Sequence, residues 1–348
     1  MLALSAICLI QPVSARLRII DREYDFGLMK EAAGPKTGTA RFVNDGREEI
    51  VITQVKPSCG CTSAEYPEEP IAPGDTAVVS FTYDPFMRPG RFEKTVKVYD
   101  SDGGRHVIHI NGNVLGTPES LETMYPLDAG SVKLSESILN MGNITMGKAK
   151  TLFITGYTLS MDSISPTFTS PAKSVKIAAS APKSGPGDLT TYTVTFDPRL
   201  QPEYGPMEIP LTFTASEADS PVDVKLRAFV IPDTALAERM MKGKTPACAI
   251  WPDPVELGEL NGSDVIETSF TVANDGKAPL TLLRVYSESP AVTVVSAPGK
   301  VKPGKTAKVK LSVDSSLLPD GPFRIPVGIV SDDPLHPDLT TPLTGIKI

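Results

Sequence analysis

Cys59-Gly60-Cys61 is the place in this sequence where groups capable of chemistry stand closest together. Two thiols separated by one residue admit three states. A disulfide between them closes a very small ring, which is strained and readily reduced. A thiolate pair can grip a soft ion such as copper(I) or zinc, although a closed zinc site takes four ligands and the usual spacing between paired cysteines is longer. The third state is two small side chains packing a loop against a domain end, with or without a local disulfide. Cys59 and Cys61 are therefore the candidate thiol or metal residues, and nothing calls for a cofactor.

The remaining reactive side chains are scattered. His106 and His109 are three apart, so on a strand they point to opposite faces and cannot hold one ion together without a bulge; each is expected at a surface or edge. His336 sits in the turn Asp333-Pro334-Leu335-His336-Pro337, and Cys248 has no near partner. Asp100-Ser101-Asp102 and Asp332-Asp333 lack the spacing and terminal Glu of a calcium loop, which leaves turn formation as their role. No Ser-His-Asp ordering, phosphate loop or carboxylate pair stands out, so the sequence points away from an enzyme.

What positions these groups is a repeat. IAPGDTAVVSFTYDP from Ile71, SGPGDLTTYTVTFDP from Ser184 and VKPGKTAKVKLSVDS from Val301 align, each with a Pro-Gly step followed by the same strand. Ala77, Val79, Phe81 and Tyr83 fall opposite Thr190, Tyr192, Val194 and Phe196, and opposite Ala307, Val309, Leu311 and Val313. Alternation with period two means one buried and one wet face, as in an antiparallel sandwich. Asn44-Asp45-Gly46 matches Asn274-Asp275-Gly276 at an offset of 230, and Pro73 to Pro303 gives the same offset. Asp25-Phe26-Gly27-Leu28, Asn140-Met141-Gly142-Asn143 and Glu256-Leu257-Gly258-Glu259 each lie near the opening strand of a unit.

These features predict an all-β chain of three tandem immunoglobulin-like β-sandwich domains, over residues 21–116, 125–233 and 247–348. A short polar link is expected around Gly116 to Met124, and a short helix over residues 234–246 with Asp233 as its cap. The hydrophobic fraction of 41%, with 33 prolines and 27 glycines, suits short strands joined by turns. A net charge of -7 without a basic run argues against nucleic acid or an anionic membrane as partner. Leu2 to Ile10 followed by Val13-Ser14-Ala15 resembles a signal peptide over residues 1–15, cleaved after Ala15, too short to span a bilayer. Its removal would leave three cysteines, an odd count.

Ser58 to Thr62, Pro73-Gly74, Asp84-Pro85 and Arg88-Pro89-Gly90 together resemble the bacterial family called domain of unknown function 1573, over about the first third of the chain. That family is similar to the Hydin and major-sperm-protein type of immunoglobulin-like domain. The resemblance implies a sandwich fold and export from a Gram-negative cell to the periplasm or surface, and it implies no activity. The expectation is an exported, non-enzymatic structural or binding module whose partner is another cell-envelope protein; the alternative is a periplasmic thiol or metal protein using Cys59 and Cys61.

Overall fold

The computed structural model describes residues 16–235 and 244–348. The segment 1–15, with its expected cleavage point, lies outside them, as does most of the expected helix over 234–246, of which Thr234 and Ala235 are helical.

Eight strands build the first unit: β1 (Leu17–Ile19), β2 (Glu23–Lys30), β3 (Lys36–Asn44), β4 (Ile52–Pro57), β5 (Thr62–Glu65), β6 (Thr76–Tyr83), β7 (Gly90–Asp100) and β8 (Arg105–Leu115). They form two four-stranded sheets ordered β1-β3-β6-β5 and β2-β8-β7-β4. The chain opens as β1, antiparallel to β3, then changes sheet so that β2 runs parallel to the closing strand β8. On β6 the alternation is obeyed residue by residue, with Ala77, Val79, Phe81 and Tyr83 buried between the sheets. Phe26 from β2 and Phe92 from β7 meet Tyr83 from the facing sheet, and the Tyr83 and Phe92 rings stack at 3.8 Å.

The same strand order is built twice more. The second unit uses Val132–Leu134, Ile138–Thr145, Lys150–Thr158, Thr167–Thr169, Val175–Ala179, Leu189–Phe196, Gly205–Thr214 and Val222–Ile231. The third uses Cys248–Trp251, Val255–Leu260, Val265–Asn274, Leu280–Tyr286, Val292–Ser296, Thr306–Asp314, Gly321–Ser331 and Asp338–Lys347. Each adds one two-residue strand, Leu127–Asp128 and Lys300–Val301 respectively. The chain is thus an all-β array of three immunoglobulin-like sandwiches.

The three tetrapeptides near each opening strand have one cause. In every unit the parallel pairing slips at that point, between Asp25 and Leu28, Asn140 and Asn143, and Glu256 and Glu259. The slip is a bulge whose turning residue has positive φ, at Gly27, Gly142 and Gly258, a conformation that favours glycine. Asp25 and Asn140 accept the amide of that glycine at 2.8 and 2.9 Å.

The Asn-Asp-Gly turns are clamped the same way in units one and three. Asn44 is fully buried and its amide donates to the carbonyls of Glu48 and Ile71, at 2.7 and 2.8 Å. Asn274, also fully buried, donates to Ala278 and Val301 at 2.8 and 2.9 Å. In unit two the corresponding residue is Thr158, too short to reach two carbonyls, and its hydroxyl donates instead to Ser184 at 2.9 Å.

The expected polar link after Gly116 is in fact a helix, α1 (Pro118–Met124), capped by the Thr117 hydroxyl, which accepts from the Ser120 amide. Pro118 opens the helix where its missing N–H costs nothing. Leu121 and Tyr125 are buried against Tyr157 of the second unit, so the segment is a packed joint rather than a tether.

Candidate functional site

Cys59 and Cys61 sit in the loop between β4 and β5 and are joined by a disulfide, with Cα atoms 5.3 Å apart. Cys61 is buried in the first core, while Cys59 is half-buried at its edge. The Thr62 hydroxyl lies 3.8 Å from each sulfur. In this state neither sulfur is a thiolate, so the metal alternative concerns only the reduced pair. The described residues contain no cluster of three or more His, Cys, Asp or Glu able to hold a metal.

The disulfide lines a groove of about 460 Å³ at the joint of the first two sandwiches. Tyr83, Phe92, Tyr125 and Leu189 supply apolar surface, Met87 and Met124 add flexible thioethers, and Arg88, Arg91 and Lys94 bring positive charge. No carboxylate lines it. Arg91 and Lys94 also border a neighbouring depression that carries Glu23, Glu93 and His109, and Arg91 approaches Glu93 at 3.6 Å with both side chains largely exposed.

Glu31 fixes the geometry of this groove. Its carboxylate, 6% exposed, accepts from the Met87 amide at 2.7 Å, the Thr117 amide at 2.9 Å and the Ser120 hydroxyl at 2.5 Å. Burial alone would raise its pKa, but the bonds from Ser120, Thr117 and Met87 outweigh that and hold the carboxyl below the ordinary glutamate value. Met87 has φ of +53°, rare for a residue with a side chain, and its amide is held by Glu31 in that conformation. From the other side, Tyr157 accepts from the Gly116 amide at 3.0 Å and donates to the Val114 carbonyl at 3.3 Å. Asn113 donates to the Pro186 carbonyl at 3.0 Å. Gly90 fits because a Cβ there would overlap Leu189.

Sequence reasoning did not single out Glu31, Tyr157, Arg91 or Lys94, and it named Arg88 only as part of a turn motif. The Thr117-Pro118 pair was the available signal for α1, being a cap followed by proline; Glu31 had none, because its partners lie 56 to 89 residues away.

The other candidates have structural employment. His106 is not at the surface: it lies on the inner face of β8, its Nε2 2.8 Å from Asp100 Oδ2 and its ring against Phe42. Asp100 also accepts the Asp102 and Gly104 amides at 3.1 and 2.7 Å, which closes the β7–β8 turn. His109 points the opposite way and is exposed. Asp333, fully buried, accepts the Cys248 amide at 2.8 Å and caps the turn holding His336. Asp332 accepts the Thr281 amide at 2.7 Å. Cys248 is a buried free thiol, and burial with nearby Asp333 pushes its pKa up to about 12.

The joint between units two and three differs. Arg284 donates to the Tyr204 and Pro206 carbonyls at 2.7 and 3.3 Å, and Phe229 meets Tyr286 edge-on. Its groove contains Arg227, but Glu208 pairs with that residue at 2.8 Å.

Fold and joint together define a tandem immunoglobulin-like array in which the first two sandwiches are joined by the packing of α1 against Tyr157 and by hydrogen bonds from Gly116 and Asn113. Residues 17–114 match the family described as "Protein of unknown function (DUF1573)", the family that the first unit resembles in its motifs. A protein of unknown function from Porphyromonas gingivalis W83 is similar in structure, with 17% identity and a TM-score of 0.50, covering 62% of this chain and 100% of that one. The PapD-like domain 7 of human CEP192 aligns at 10% identity and a TM-score of 0.27, over 34% of this chain and 99% of that one. No curated protein matches the chain.

Proposed function

We propose that this chain is an exported, non-enzymatic binding module of the bacterial cell envelope, taking an acidic, partly apolar segment of another envelope protein into the groove at its first joint. The carrying observation is the groove's lining: aromatic rings and methionines bordered by Arg88, Arg91 and Lys94, with no carboxylate among the lining residues of a chain whose net charge is -7. Tyr, Phe, Met and Arg are the residue types that dominate protein interfaces, and complementary charge steers association. The joint is pre-organised by Glu31 and Tyr157, so a partner would meet a surface already ordered. The buried acidic groups support a non-enzymatic reading, since Glu31, Asp100 and Asp333 spend their oxygens on backbone amides, the Ser120 hydroxyl and the His106 ring, all within turns or the joint. Export rests on the apolar run Leu2 to Ile10 and on Val13-Ser14-Ala15.

The test is recovery of a partner from cross-linked envelope fractions with purified protein. Wild type is expected to retain one that Arg88→Glu with Arg91→Glu loses about tenfold, and that rising salt weakens. Equal recovery by both proteins would refute the groove as the site.

A further inference from the structure

The turn that carries the disulfide is built in all three sandwiches, and only the first contains sulfur. In unit one the Thr62 amide donates to the Cys59 carbonyl at 3.3 Å, and the Asp84 amide to the Cys61 carbonyl at 2.9 Å. In unit three the Val292 amide donates to Ser289 at 3.2 Å and the Asp314 amide to Ala291 at 2.9 Å, with Ser289-Pro290-Ala291 in place of the Cys-Gly-Cys segment. In unit two the Val175 amide donates to Ala172 at 3.1 Å and the Asp197 amide to Ser174 at 2.8 Å. Ala291 and Cys61 are both buried, at 2% and 7% exposure, so the core accepts either side chain. The turn therefore needs no disulfide. A bond with one residue between its cysteines also removes little entropy from the unfolded chain, because the stabilisation grows with the length of the loop closed. A conformational staple is a poor account of these two residues.

Their surroundings suit exchange instead. Cys59 is half-buried at the groove wall and Cys61 is buried, so an incoming sulfur reaches Cys59 first. Arg88, Arg91 and Lys94 line the same groove and favour an approaching thiolate. The Thr62 hydroxyl, 3.8 Å from both sulfurs, is placed to donate to whichever one leaves.

We propose that Cys59–Cys61 is a redox-active disulfide that accepts two electrons from a dithiol at the first joint. One thiolate of the dithiol attacks the Cys59 sulfur; the bond between Cys59 and Cys61 breaks, and Cys61 leaves as a thiolate that takes a proton from solvent. The second thiolate of the dithiol then attacks the dithiol's first sulfur, now bonded to Cys59; a disulfide forms within the dithiol, the bond to Cys59 breaks, and Cys59 leaves as a thiolate that is protonated in turn. The dithiol becomes a disulfide and the chain gains two thiols. This does not depend on the groove binding an acidic segment, and either can fail alone.

The experiment uses the full wild-type chain. It is exposed to reduced glutathione, quenched with acid, and each cysteine is identified by peptide mass spectrometry, with buried Cys248 as the internal reference for an unreactive thiol. Glutathione is expected on Cys59 at about ten times the level on Cys61, with dithiothreitol freeing both and glutathione disulfide restoring the bond. Adducts mainly on Cys61, equal adducts on both, or a disulfide that glutathione leaves intact would overturn the proposal. In parallel, Cys59→Ser with Cys61→Ala, which copies the third unit, is expected to unfold within about 2 °C of wild type. A fall well beyond that would make the bond a structural staple and would also overturn it.

Discussion

The carboxylate of Glu31, the residue just after β2, accepts the hydroxyl of Ser120 in α1 across 89 residues of sequence. That bond, with the two amides sharing the same carboxylate, turns a linker into part of the first sandwich. Glu31→Gln replaces an acceptor facing three donors with a group that must present an N–H to one of them. We expect it to destabilise the joint by about 1–3 kcal/mol, read as earlier thermal unfolding and faster proteolytic cutting near α1. Unchanged cutting would remove Glu31 from this role.

The same residue sets a pH dependence. Its folded pKa is depressed below the ordinary value of 4.5, so the stabilisation it gives is fully present above that value and is lost as pH falls from 4.5 through the folded value. Wild type should lose denaturant resistance over that window more steeply than Glu31→Gln. Asp21, Asp45 and Asp197 are also depressed, by Arg41, Arg18 and Arg199, but those pairs are exposed and contribute little. Parallel curves for the two proteins would contradict the assignment.

Asn44 and Asn274 are expected to respond alike. Truncation to Ala removes two donated bonds and the bond accepted from the Gly46 or Gly276 amide, at a cost of about 2–4 kcal/mol per site in denaturant unfolding. Thr158→Val removes a single hydroxyl bond to Ser184 and should cost about 1 kcal/mol. A loss as large at Thr158 as at the asparagines would break the analogy between the turns.

Tyr192 carries the opposite prediction. Its ring packs edge-on against Phe168 and Phe213, yet its buried hydroxyl has no partner among the described residues, and burial pushes its pKa up to about 12. Val79 and Val309 occupy the corresponding core positions, so that layer needs no hydroxyl. Tyr192→Phe should leave the second unit as stable as before or up to about 1 kcal/mol more stable, by thermal unfolding. A clear loss would reveal a partner for the hydroxyl.

The legible part of this fold was the part written in local periodicity. Pro-Gly followed by alternating apolar residues placed the strand of Tyr83, Phe196 and Val313, and the Gly27, Gly142 and Gly258 tetrapeptides marked each opening strand because a bulge there needs positive φ. The joint was illegible for the converse reason. Glu31 meets Met87 and Ser120 across 56 and 89 residues, Tyr157 reaches Gly116 only once the second sandwich has folded, and nothing in the spacing of those residues reports either contact. His106 was misplaced because its pairing with Asp100 makes an inward-facing histidine tolerable, and that pairing depends on how the β7–β8 turn closes.

The groove at the first joint is tested most directly by site-resolved photo-crosslinking in the cell, with a photoreactive phenylalanine analogue at Met124 in one chain and at Leu335, 76% exposed in the third unit, in another. Position 124 should form an adduct with another envelope polypeptide that position 335 does not, and the adduct should vanish when Arg88 and Arg91 are changed to Glu. Equal adducts from both positions, or one at 124 that survives the charge reversal, would contradict the groove as the binding site.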